Sequence, residues 1–257
     1  MSGEVMLVDG GDGAISRLVQ TAVKLFARPG FGSAALVGGL AVTVRLATVH
    51  RATNDVDTVT DDADPSRLSL EYLGDHDMAG GGRVEIDGVN VDVMPTSPLP
   101  THAADLPEDD IQRLFVLGHR WALETAEPIA VRVGTPPGRP AGPFALTVAT
   151  APALVACKFH AIAARRDAGR DKREGDALDL IRLIGDLVRS PAAIAQFSTA
   201  PFDLAALVSA QVERWLVTGS TRAARLFDLG AGTRGVTMDP DDISALGSLF
   251  EAMLDAR

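Results

Sequence analysis

A single cysteine, Cys157, stands in 257 residues, so the chain has no internal disulfide to staple it. Cys157 lies in an apolar helical pattern and reads as a small buried hydrophobe rather than a reactive thiol. Aromatic residues are scarce, with one Tyr and two Trp, which leaves Ala, Val and Leu to fill the core. No apolar run reaches the roughly 20 residues that span a bilayer as a helix, so no membrane partner is expected. Residues 1–13 hold Glu4 and Asp9 and no basic cluster, which argues against a secretory signal. A cytoplasmic protein is the simplest reading. Positive charge is also in short supply: the formal net charge is −10, which excludes a generally basic surface for nucleic acid. A local one stays open, because Lys158–Arg173 (KFHAIAARRDAGRDKR) holds six Lys or Arg against two Asp.

What is present is enough for one large domain or two small ones with a proper core, at 46% hydrophobic and 23% charged residues. Ile15–Ala27 has apolar residues at helical spacing and stops before Arg28-Pro29-Gly30. Ala34–Val37 reads as a short buried strand, Gly38-Gly39 as a tight turn, and Leu40–Thr48 as a helix starting on those glycines. Asp55–Val59 alternates and is rich in β-formers. A helix is expected within Asp61–Leu73, and a flexible turn at Gly80–Gly82. Arg83–Ile86 and Val89–Met94 flank Asp87-Gly88, a pair that supplies the positive φ angles of a hairpin turn. Further strand signals fall at Ile129–Val133 and Phe144–Val148, with Pro136–Pro143 between them as a Pro/Gly-rich loop. After Thr150 the pattern turns helical, with helices expected at Pro152–Arg166, Gly175–Leu187, Pro201–Thr218 and Asp241–Asp255. The outline is α+β: residues 1–150 as a mixed sheet with flanking helices, and 151–257 as a mainly helical lobe.

The informative segment is Leu36–Thr60, LVGGLAVTVRLATVHRATNDVDTVT. Gly38 and Gly39 permit close approach of backbone to phosphate, with the amides of the following helix as donors. Side chains two apart on a strand share a face, so Asp55 and Asp57 place hard oxygen ligands side by side. That is the ligand chemistry Mg²⁺ prefers while it also holds a triphosphate. Asp92 sits mid-strand between Val91 and Val93, where a carboxylate is costly unless paired or metal-bound. With Asp92 as a third ligand, two Mg²⁺ ions are conceivable, and Asp92 is then the general base or the ligand that acidifies an acceptor hydroxyl through the metal. Taken singly, each feature has a plainer reading. Asp-x-Asp is commonly a turn or a solvated edge, as Asp61, Asp62 and Asp64 are read here, and Gly-Gly is commonly just a turn. The combination, in this order, favours the metal site.

VGGLAV…HRATNDVD followed by VDVM resembles the nucleotidyltransferase superfamily, whose fold is the polymerase-β-like one. More narrowly, Arg51-x-Thr53-x-Asp55-x-Asp57 is similar to the AbiEii type, the toxin half of abortive-infection and toxin–antitoxin pairs. Proteins of that type carry a helical C-terminal half with a Lys-containing helix and a later Asp-x-x-Asp-Leu. Lys158 in ALVACKFHAIAARR, and Asp176, Asp179 and Leu180 in KREGDALDLIRL, resemble those features. The match runs over about Leu36–Leu183, with Pro95–Thr150 unlike anything in the pattern. One departure is Gly-Gly-Leu-Ala where much of the superfamily has Gly-Ser, which leaves phosphate to backbone amides or to Thr43 or Thr53.

The resemblance implies an enzyme that transfers NMP from an NTP with Mg²⁺. Asp55, Asp57 and Asp92 would be its metal ligands, and Gly38, Gly39, Arg51, Thr53 and Lys158 would bind the nucleotide. It implies that Lys158 reaches the β- and γ-phosphates as a point charge, with Asp176 and Asp179, three apart on one helical face, orienting Lys158 or Arg51. The plainer alternative is a solvated Lys158 and surface aspartates. The toxin likeness implies tRNA as acceptor and a cognate antitoxin as partner, and Arg165, Arg166, Arg170, Lys172 and Arg173 would then form a phosphate-binding patch, with a merely solvated helix end as the equal alternative. A small-molecule acceptor, an antibiotic or a sugar phosphate, is the alternative, and an acidic pocket would suit a cationic one. A non-catalytic binding module is the third reading, and it has little need of all three aspartates. His50, His119 and His160 show no ligand spacing.

Overall fold

The computed structural model describes residues 4–9, 12–27, 33–61, 82–134, 138, 140–165, 170–232 and 236–256. The expected helix within Asp61–Leu73 and most of the Gly80–Gly82 turn lie outside them. The chain divides into two compact units, one of Met1–Pro98 with Ala122–Thr150 and one of Leu99–Trp121 with Ala151–Arg257.

The first unit is built on one seven-stranded mixed sheet. Its strands are β1 (Glu4–Val8), β2 (Ala34–Val37), β3 (Asp55–Thr60), β4 (Gly82–Ile86), β5 (Val89–Pro95), β6 (Glu127–Gly134) and β7 (Ala141–Val148), in the spatial order β1-β6-β7-β2-β3-β5-β4. Helix α1 (Ala14–Phe26) is amphipathic and buries Ile15, Leu18, Val19, Ala22 and Leu25, packing along β3, β5, β6 and β7. Helix α2 (Gly38–Arg45) is buried from Gly39 to Val44 and packs on β2 and β3. Its C-terminal end is fastened by Arg45, whose guanidinium donates to the carbonyls of Ala149 and Val148, each at 2.7 Å, and pairs with Glu127 at 3.1 Å. Burial lowers the Arg45 pKa, against the opposing effect of Glu127.

The hairpin β4–β5 forms as the Asp87-Gly88 pair predicts, with φ of 54° and 75° at the two turn residues. The Pro/Gly-rich stretch is shorter as a loop than its composition indicates, because Ala141–Pro143 already belong to β7. They pair with β6 where the register shifts between Val131 and Val133, the kind of irregularity at which Gly and Pro are tolerated in a sheet. β1, at the sheet edge beside β6, was not expected from the sequence.

Helix α3 (Asp110–Glu124) was likewise unexpected, and it buries Leu114, Leu117 and Trp121. The remaining helices are α4 (Ala151–Ala164), α5 (Arg170–Leu187), a single turn α6 (Pro191–Ile194), α7 (Leu204–Val212), α8 (Ser220–Ala231) and α9 (Pro240–Asp255). α5 begins five residues before the expected Gly175, on the strong helix formers of Arg170–Glu174. The helix expected over Pro201–Thr218 starts only at Leu204, after Phe202 at a positive φ of 48°, and its end is a π turn, Glu213–Val217. In the second unit Trp121, Phe197 and Phe250 pack in series, tilted and then edge to face, with ring centroids 5.3 and 6.0 Å apart. Asp239 caps α9 by accepting from the Asp241 amide, as the Asp-Pro-Asp signal predicts. Among the described residues no helix is long and apolar enough to cross a membrane.

Candidate metal centre

β2, β3 and β5 lie side by side, and their register decides what meets. β3 and β5 are parallel, with Asp57 opposite Asp92 and Asp55 opposite Asn90. On β5 the burial alternates, Val89, Val91 and Val93 facing the core and Asn90 and Asp92 the other side. Asp55 and Asp57 likewise flank buried Val56. The sheet therefore brings Asp55, Asp57 and Asp92 together: one carboxylate oxygen from each lies within 4.8 Å of the other two. All three are half-buried. Three converging hard oxygens at this spacing fit a divalent cation of the Mg²⁺ type.

Antiparallel to β3, β2 places Val37 opposite Asp57, and α2 starts on the next residue, Gly38. Gly38 has φ of 67°, and a Cβ there would fall deep inside the Asp57 carboxylate. A Cβ on Gly39 would lie 2.5 Å from Arg51 Nη2 and 2.9 Å from Thr53 Oγ1. The glycine pair is thus required first by the protein's own side chains, which pack against it. Thr53 is buried and its hydroxyl donates to Asp55 Oδ1 at 3.4 Å, while Thr58 Oγ1 donates to the Asp92 carbonyl at 3.2 Å. Thr43 is fully buried within α2, which removes it as a phosphate contact. Arg51, half-buried, donates to the Ala52 carbonyl at 2.9 Å.

One participant escaped the sequence reading. Arg83, on β4 directly opposite Asp92, holds that carboxylate with both arms of its guanidinium, at 2.6 and 2.8 Å. The Asp92 contact, then Asp55 and Asp57, raise the Arg83 pKa above its ordinary value, against a small opposing effect of burial. Hairpin arithmetic would have found it: counting outward from Asp87-Gly88, the fourth residue on each side is Arg83 and Asp92.

The other expected residues form a separate cluster in the second unit. Lys158 on α4 pairs with Asp176 Oδ1 and Asp179 Oδ2 on α5, each at 2.7 Å, and Arg165 also pairs with Asp176. Asp176 and Asp179 share a helical face, as their spacing predicts. The cluster is deeply buried, with Lys158 at 4% exposure and Asp179 at 0%. Lys158 is therefore not the solvated residue of the plainer reading. Cys157 beside it is buried, and burial pushes its thiol up to about 12, with Lys158 opposing. His119 and His160 are packed edge to face, centroids 5.5 Å apart, with Phe115 against both.

No family model and no curated protein sequence matches this chain. Among solved structures it is similar to the solution structure of the antibiotic-resistance factor ANT(2'')-Ia, at 16% identity, over 78% of this chain and 91% of that one. The TM-score is 0.40, an overlap too loose to transfer a fold or a role.

Proposed function

We propose that this chain is a metal-dependent nucleotidyltransferase of the polymerase-β-like superfamily, transferring NMP from an NTP to an acceptor hydroxyl. The observation that carries the reading is the convergence of Asp55, Asp57 and Asp92 from two parallel strands beside a helix that begins on Gly38. Bound at those carboxylates, Mg²⁺ would neutralise the triphosphate and acidify the acceptor hydroxyl. The chain's own residues do the rest. Gly38 leaves room for Asp57 to hold its place, and Thr53 steadies Asp55. The amides of the first turn of α2, with Arg51, are the donors for phosphate oxygens. Asp92 takes the acceptor's proton as the new O–P bond forms and pyrophosphate leaves. Lys158, Asp176 and Asp179 keep the roles that the AbiEii-type resemblance implies, a phosphate-directed cation and the two carboxylates that orient it.

That resemblance favours tRNA as acceptor and an antitoxin as partner. A second reading, a small-molecule acceptor, is favoured by two observations. The net charge is −10, and the basic run Lys158–Arg173 has Lys158 and Arg165 bound into ion pairs with Asp176. Incubation with Mg²⁺ and each α-labelled NTP, with tRNA in one series and candidate antibiotics and sugar phosphates in another, separates the two. Label on tRNA supports the toxin reading, and label on a small molecule replaces it. No Asp57-dependent transfer to any acceptor would remove the enzyme reading altogether.

A further inference from the structure

The second unit holds a feature that the nucleotidyl-transfer reading leaves unused. Two arginines from two helices flank one indole, and a third arginine precedes it in the chain. Arg222 on α8 lies over the Trp215 ring with its guanidinium carbon 3.7 Å from the centroid, and Arg173 on α5 lies 5.1 Å from it. Arg214, the residue before Trp215 in the π turn, is the third. The Arg222 pKa is lowered by burial first, then by the charges of Arg173 and Arg214. Like charges are thus crowded together in a protein whose overall charge is strongly negative. No ion pair joins any of the three to a carboxylate among the described residues. Arg173 Nε and Trp215 Nε1 are both buried with no hydrogen-bond partner among those residues. Buried donors left in this way are costly and ask for an acceptor.

An open groove of about 670 Å³ is lined by Ala210, Glu213, Arg214, Thr218, Thr221 and Arg222. Its wall is well fixed. A Cβ on Gly219 would lie 2.5 Å from the Arg214 carbonyl, and one on Gly247 of α9 would lie 2.8 Å from Leu216 Cβ, so turn and helix close tightly on each other. The one carboxylate in the groove, Glu213, is engaged by the Thr218 hydroxyl at 2.6 Å. A π turn that displaces side chains from regular helical positions is a frequent mark of a binding site.

We propose that this groove is a phosphate-binding site, in which Arg214 and Arg222 contact the anion and Arg173 completes the positive field. Guanidinium forks suit phosphate oxygens, and the Thr221 hydroxyl lines the groove alongside them. The ligand is a chain of phosphates, either the backbone of a single-stranded RNA or a free polyphosphate. This site is independent of the carboxylate centre, and its test does not involve turnover.

The two tryptophans give two indole N–H signals in a ¹H–¹⁵N spectrum, assigned with Trp215→Phe. At fixed ionic strength the full-length protein is titrated with tripolyphosphate in one series and a twelve-residue oligouridylate in another. A saturable shift of the Trp215 signal, with the Trp121 signal stationary, is expected in at least one series. Tighter saturation by the oligonucleotide marks RNA backbone as the source, and saturation by tripolyphosphate alone marks the free anion. The double substitution Arg214→Ala/Arg222→Ala, at exposed positions, weakens that binding about tenfold or more, whereas Glu213→Gln strengthens it. Equal movement of both indoles, no saturation in either series, or unchanged affinity in the double variant would overturn the proposal.

Discussion

The guanidinium of Arg83 closes on the Asp92 carboxylate as a fork, Nε to Oδ1 at 2.6 Å and Nη2 to Oδ2 at 2.8 Å. The same carboxylate is the third member of the proposed metal set, so a guanidinium and a metal ion compete for it. Arg83 is half-exposed and Asp92 is 23% exposed, which limits the pair to about 1 kcal/mol after solvent screening. Arg83→Ala is therefore expected to tighten Mn²⁺ or Mg²⁺ binding about five-fold. Isothermal titration of the nucleotide-free protein measures this, and weaker binding in the variant would place the ion away from Asp92.

Gly38 tests the junction between β2 and α2. Gly38→Ala puts a methyl group into the Asp57 carboxylate at a backbone φ of 67°. The left-handed conformation alone costs an alanine about 1 kcal/mol, and the overlap adds to it. A loss of about 2 kcal/mol or more in urea unfolding is expected, with nucleotidyl transfer falling further than stability does, because Asp57 is the group displaced. A variant with unchanged stability and transfer would mean that Asp57 can move aside at no cost.

Much of this junction was legible in the sequence, and the reasons are local. Ala34–Val37, the glycine pair and Asp55–Val59 carry their own period and punctuation, and the Asp87-Gly88 turn fixes the β4–β5 register without help from the rest of the chain. What could not be read is non-local. The order that puts β5 beside β3, and β7 beside β2, is set by pairings across long stretches of sequence. β1 is a five-residue edge strand with too little pattern to declare itself. α3 did carry a signal, Leu114, Leu117 and Trp121 at helical spacing, but it lies in the stretch the resemblance did not reach. The ion cluster was half legible: the spacing of Asp176 and Asp179 gives their shared face, but not that Lys158 on another helix is buried against it.

That burial makes the cluster a stability element whatever else it does. Asp179→Ala leaves the buried Lys158 ammonium one carboxylate short, and removal of one partner from such a pair costs about 3–5 kcal/mol. Lys158→Met, which removes the cation but keeps its apolar volume, is expected to cost less than Lys158→Ala. Denaturant midpoints of the three variants provide the comparison. An Asp179→Ala variant within about 1 kcal/mol of the parent would show that water reaches the cluster.

Acid sensitivity follows from the two packed histidines. Burial is the main cause that lowers both His119 and His160 to about 4, with the Phe115 carbonyl opposing at His119, and with His119 and then Arg165 adding at His160. Both folded values lie below the ordinary 6.5, so the unfolded chain binds protons first as the pH falls. Their contribution is fully present above pH 6.5 and is lost as the pH falls from 6.5 to about 4. Thermal unfolding across that window should show a fall that His119→Gln/His160→Gln reduces. A slope unchanged in the double variant would assign the acid sensitivity to other groups.

The central claim is that Asp55, Asp57 and Asp92 hold a metal for nucleotidyl transfer. It is tested most directly by pyrophosphate release from an NTP in the presence of acceptor, measured with Mg²⁺, with Mg²⁺ plus excess chelator, and in Asp57→Ala. The account predicts release with Mg²⁺, none with chelator, and a loss of at least about a thousandfold in Asp57→Ala while the variant stays folded by circular dichroism. Release that persists with chelator, or in a folded Asp57→Ala protein, would contradict it.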